Sequence, residues 1–117
     1  MAKLPANSDA PDALTPPSLH ILLALVDEDR HGLGIADHVQ AFTNGRIALG
    51  PGTLYGAIKR LLDAGLIADA PARSKSAEDD PRRRYYRLTT AGRRAVEAET
   101  RAMARIVDVA RLKRVLR

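Results

Sequence analysis

The chain has 117 residues, a net charge of +5, 28% charged and 45% hydrophobic residues; that is room for one small domain and excludes wholesale disorder. Aromatics make up only 3%, with no Trp and one Phe, so any core must be aliphatic, which favours helices. With no cysteine there is no disulfide framework, thiolate metal site or cysteine nucleophile.

The charge is unevenly placed. Residues 81–117 carry 12 Arg and Lys against 3 acids, and residues 1–80 carry 7 against 11. A basic half joined to a mildly acidic one points to nucleic acid as partner. Lys3 is followed by no apolar run, so no signal peptide is read. The longest aliphatic run, Ile21 to Val26, is far short of the roughly 20 residues that span a bilayer. A cytoplasmic protein without membrane contact is expected.

In chain order, residues 1–14 are polar and proline-rich and read as a disordered tail. Thr15 before Pro16 and Pro17 marks a helix entry, and the apolar run "LHILLALV" carries that helix to about Asp27. It is apolar nearly all round, so Leu19, Leu22, Leu23 and Val26 are expected at an interface between subunits. After a polar break at 27–30, a second helix is expected over Gly32–Phe42, with Ile35, Val39 and Phe42 on its buried stripe and Asn44-Gly45 as its stop. Ile47 to Leu49 reads as a strand stub.

Gly50-Pro51 opens a third helix that Gly65 closes. Leu54, Ala57, Ile58, Leu61 and Leu62 form its buried stripe. Its other face holds Thr53, Tyr55, Gly56, Lys59, Arg60 and Asp63, small, hydrogen-bonding and cationic groups suited to a polyanion. Extended runs from Leu66 and Arg84 flank a long polar loop, making a hairpin wing. The wing's Arg73, Lys75, Arg82, Arg83 and Arg84 are candidates for phosphate contacts, whereas Glu78, Asp79 and Asp80 are expected to hold its tip away from DNA. Thr89 should cap a long last helix whose apolar side includes Met103, Ile106, Val107 and Ala110, wet in a monomer and therefore expected to dimerise.

The order predicts a mainly α chain with a small β-hairpin wing, a winged helix-turn-helix over 15–90, and a dimerisation helix over 91–117. Thr53, Tyr55, Gly56, Lys59 and Arg60 would enter a major groove. For Tyr55 the residues alone also allow a cover over the helix–wing junction, and for Gly56 a close helix–helix contact.

The stretches "ILLAL…HGLGI", "LGPGTLYGAIKRLLDAGLI" and "RRRYYRLTTAGRRA" together resemble the PadR family of bacterial transcriptional regulators, over about Leu19 to Ala95. The resemblance implies a homodimeric winged-helix protein, in most relatives a repressor, whose last helix packs across the interface with the first. It also places Tyr55 at the DNA face and implies, for many relatives, a small-molecule effector at the dimer interface. Gly50 and Leu33 stand where the family often has Ser and Tyr. The single last helix is like that of the shorter members.

Catalysis finds no foothold. His20, His31 and His38 lack ligand-like company and read as structural, and no Ser–His–acid set or phosphate-cradling loop can be assembled. No metal, cofactor or enzyme activity is expected. The competing readings are a winged-helix protein-interaction module and a non-specific nucleic-acid architectural protein.

Overall fold

The computed structural model describes residues 14–71 and 83–117. Four helices and three short strands follow in the order α1 (Pro16–Ala24), β1 (Arg30–His31), α2 (Gly32–Phe42), α3 (Pro51–Asp63), β2 (Ile67–Ala70), β3 (Tyr85–Leu88) and α4 (Thr90–Leu112). This is a winged helix-turn-helix with an added C-terminal helix. The expected tail lies outside the described residues except for Leu14, which packs on the core.

Helix α1 starts as read. The Thr15 hydroxyl accepts the Ser18 N–H, and the prolines fill positions whose N–H groups would have no helical partner. It ends earlier than its apolar run predicts, at Ala24 rather than about Asp27. Arg30 explains the stop: its Nε–H donates to the Ala24 carbonyl at 2.7 Å, satisfying a terminal acceptor from six residues downstream. Asp27 and Glu28 hold the same guanidinium from the turn.

Helix α2 has its expected bounds and is capped by the His31 side chain, whose Nδ1 accepts the Gly34 N–H at 3.1 Å. Ile35 and Val39 are buried, but Phe42 is exposed, with His20 stacked on it and His38 against its edge. Asn44 and Gly45 both take positive φ and close the helix. Residues 46–50 form no strand. Ile47 and Leu49 pack instead against the core from an irregular connection.

Helix α3 buries Leu54, Ala57, Ile58 and Leu61 and stops at Gly65, whose φ of +76° suits only glycine well. Strand β3 lies between its neighbours, paired antiparallel with β2 from Ile67↔Leu88 to Ala70↔Tyr85 and with β1 at Arg30↔Tyr86 and His31↔Tyr85. On β3 the successive residues Tyr85 and Tyr86 are both buried, and Arg87 is exposed. The Thr89 hydroxyl accepts the Gly92 N–H and donates to the Gly65 carbonyl, so one side chain starts α4 and ties it to the end of α3.

Helix α1 packs against α2, α3 and α4. The core between them is built on Ile21, Leu22, Ile35, Val39, Leu54 and Ile67. Helix α4 shares in it only through its first two turns: Gly92 and Val96 are its buried residues.

Candidate nucleic-acid interface

The buried stripe of α3 leaves Thr53, Tyr55, Lys59 and Arg60 exposed together on the opposite face, with Gly56 half-buried among them. The helix begins on Gly50 with no side chain capping it, so its first turn presents peptide N–H groups and positive dipole outward. Lys59 has 76% of its side chain exposed and meets Asp63 at 3.3 Å across one helical turn, an exposed pair that holds the ammonium loosely. A Cβ added at Gly56 would meet only the Arg60 guanidinium, 3.6 Å away. No helix packs closely there, so the packing explanation for this glycine fails within the subunit.

Tyr55 does two jobs. It is 47% exposed, yet its ring lies so close over Gly32 that any Cβ there would overlap the hydroxyl. The ring thus bridges α3 to the start of α2 and lines a cleft of about 310 Å³ with His31, Gly32, Arg83, Arg84 and Tyr86. The fold therefore brings Tyr55, Arg83 and Arg84 to one place. Arg84 is committed there: it donates to Asp69 at 2.6 Å and lies 5.4 Å over the Tyr86 ring. The Asp69 hydrogen bond holds the guanidinium still more firmly protonated. Burial, foremost, pushes the Tyr86 hydroxyl above the ordinary phenol range, and Arg84 partly offsets the rise. Arg73, Lys75 and Arg82, with the acidic wing tip, lie outside the described residues.

The sequence reading missed His31 as part of this site. Its ring caps α2, stands edge-on to Tyr85 at 5.2 Å, and places Nε2 at 3.2 Å from Arg83 Nη1. The signal present in the sequence was positional: a histidine directly before a glycine at a helix entry can reach back to the N–H groups of the first turn.

The residues expected at a subunit interface divide in two. Leu19 and Leu22, 2% and 0% exposed, are absorbed by the subunit's own core and have no surface left for another chain. Leu23 and Val26 are half-buried beside Arg93, Val96 and Thr100 in a groove of about 390 Å³ between α1 and α4. Beyond Val96, α4 leaves the body of the subunit, with Met103, Ile106 and Val107 exposed and Ala110 partly so. Among the described residues no helix is long and apolar enough to cross a membrane, and no group of three His, Asp or Glu could hold a metal.

Known proteins match over this same ground. An uncharacterized 37.1 kDa protein in transposon Tn4556 of Streptomyces fradiae is 37% identical over 86 residues, 74% of this chain but only 22% of that longer protein. Transcriptional regulator Rv3488 of Mycobacterium tuberculosis is 34% identical over 85 residues, 73% of each chain. The crystal structure of a PadR family transcription regulator from Clostridium difficile superposes with a TM-score of 0.67 at 28% identity, covering 82% of this chain and 95% of that one. The sequence pattern of the transcriptional regulator PadR-like family matches residues 21–98, a span that takes in the core, the exposed face of α3, the cleft and the wing, and so the chain belongs to that family.

Proposed function

We propose that this DNA-binding transcriptional regulator is a homodimeric repressor that reads a pseudo-palindromic operator and is released by a small-molecule effector. The observation that carries the reading is the α3 face: a recognition-type helix whose outward side holds Thr53, Tyr55, Gly56, Lys59 and Arg60 and whose first turn is open to anions. Arg83 and Arg84 extend it toward the wing, and Arg73, Lys75 and Arg82 precede them in sequence. Two-fold symmetry places the half-sites about 10 bp apart, or a multiple of that.

Lys59→Ala tests the face directly. Operator affinity is expected to fall and the slope of log affinity against log salt to flatten by about one unit, because one fewer phosphate counterion is released. Fluorescence anisotropy on the duplex upstream of the chain's own coding sequence measures both. A random duplex of equal length serves as reference. Equal affinity for the two would make the protein an architectural binder, and no affinity for either would leave the interaction-module reading.

Gly56→Ala separates binding from stability. The added methyl meets only the Arg60 guanidinium, at ordinary contact distance, and relieves a mid-helix glycine, so thermal stability should rise by up to about 1 kcal/mol. Operator affinity should fall, because the methyl stands where the helix approaches DNA. A variant that is more stable and binds unchanged would remove Gly56 from the contact.

A further inference from the structure

We propose that Gly32 is a positioning residue for DNA recognition: by giving the Tyr55 ring room against α2, it keeps the outer surface of the first turn of α3 clear for the DNA backbone. The inference rests on the DNA-binding reading and extends it to a buried residue that itself reaches no DNA.

Conformation does not require a glycine at this position. Gly32 is the first residue of α2 and lacks the left-handed φ of Gly45 and Gly65. Helix propensity favours alanine there. Space is what excludes it: a Cβ would overlap the Tyr55 hydroxyl and stand 2.8 Å from its Cζ and 2.9 Å from its Cε1. These three nearest atoms all belong to the far end of one side chain, and neither backbone nor a core aliphatic is among them.

The glycine therefore serves the placement of a ring and not the stability of the core. Tyr55 is 47% exposed, so a methyl at position 32 pushes the ring aside without opening the core. A tyrosine in a helix has two open χ1 wells, and both lean the ring toward the helix N-terminus. Displaced from α2, the ring comes to rest over the first turn of α3. That turn is bare on its outer side: a Cβ at Gly50 or Gly52 would meet nothing within 4 Å, and Thr53 is exposed beside them. Its peptide N–H groups have no side-chain cap, which makes it the part of α3 best suited to a phosphate. A phenol ring lying there stands between those groups and the DNA backbone. Seated over Gly32, the same ring leaves them open.

Two variants and their combination test this, by anisotropy on the duplex upstream of the chain's own coding sequence. Gly32→Ala should melt close to the wild type yet bind about tenfold more weakly. Tyr55→Ala should bind about threefold more weakly, through loss of the ring's own contact. The double variant should match Tyr55→Ala and so bind better than Gly32→Ala, because the methyl has no ring left to displace. A role in folding alone gives no such rescue, since its cost persists without the ring. In the free protein, nuclear Overhauser contacts from the Tyr55 ring should run to the Gly32 α-protons, and in Gly32→Ala to the Gly52 α-protons instead. A Gly32→Ala protein that binds as the wild type does, or melts far below it, overturns the inference and leaves the regulator reading standing. So does a double variant weaker than Gly32→Ala, or a wild-type Tyr55 ring without contacts to Gly32. A wild type that binds neither its upstream duplex nor a random one overturns the DNA-binding reading and this inference with it.

Discussion

Gly92→Ala is expected to lower the thermal midpoint by about 10–25 °C, although helix propensity alone predicts the opposite sign. Gly92 lies in the first turn of α4, where alanine is favoured by up to about 1 kcal/mol on an exposed surface. Here the face is not exposed. A Cβ would overlap the Leu66 carbonyl oxygen and stand 2.8 Å from Leu88 Cδ1 and 3.0 Å from the Leu66 carbonyl carbon. The oxygen cannot retreat cheaply, since it accepts the Thr89 N–H at 3.2 Å, and Thr89 in turn is bonded to Gly65. The methyl must therefore lift α4 off the α3–β2 junction, an overpacking cost of about 3 kcal/mol. Against a total stability of about 5–10 kcal/mol, and at about 4–8 °C per kcal/mol for a domain of this size, that is a large shift. Melting followed by circular dichroism measures it, with Gly56→Ala as the internal contrast: the same exchange at a position where the methyl makes only an ordinary contact with a flexible side chain should raise the midpoint. A Gly92→Ala protein that melts with or above the wild type would mean that α4 does not sit on Leu66.

That contrast also shows what a sequence can and cannot disclose. The bounds of α2 and α3 and the start of α4 were legible because their signals are local: Thr89, Gly50-Pro51, Asn44-Gly45 and Gly65 act on neighbouring N–H and carbonyl groups. Features that depend on distant partners were not. Strand β1 is two residues long and exists only because Tyr85 and Tyr86 pair with it, so no alternation could reveal it. The end of α1 is set by a side chain from the following turn, against an apolar run that continues past it. An all-apolar helix such as α1 does not say which of its sides faces its own subunit, and so Leu19 and Leu22 read like interface residues when they are core. The α3 face was fully legible because amphipathicity divides a helix in two. His31 was half legible: its structural role is real, and it also lines a cleft that only the fold assembles.

The largest functional effect is expected from Ile106→Asp, at a position far from α3. Ile106 is 68% exposed, and Met103, Val107 and Ala110 share its side of a helix that has already left the core. An apolar stripe of this kind on a projecting helix calls for a cover, and in the proposed homodimer a second copy of the same stripe supplies it with two-fold symmetry. An aspartate there puts an unpaired charge into that contact, which an interface can accommodate only by opening. The variant should be monomeric by light scattering, and it should bind the full operator about a hundredfold to ten-thousandfold more weakly, because each half-site must then be held without the tethered second. Its melting curve should show that the single subunit still folds, since the side chain touches none of the core built on Ile21, Leu22 and Leu54. Arg105→Asp, about 150° round the helix from the stripe, should remain dimeric. An Ile106→Asp protein that stays dimeric and binds as before would place the subunit contact elsewhere and leave this stripe without its assigned partner; one that becomes monomeric yet keeps full affinity would show instead that a single recognition unit suffices.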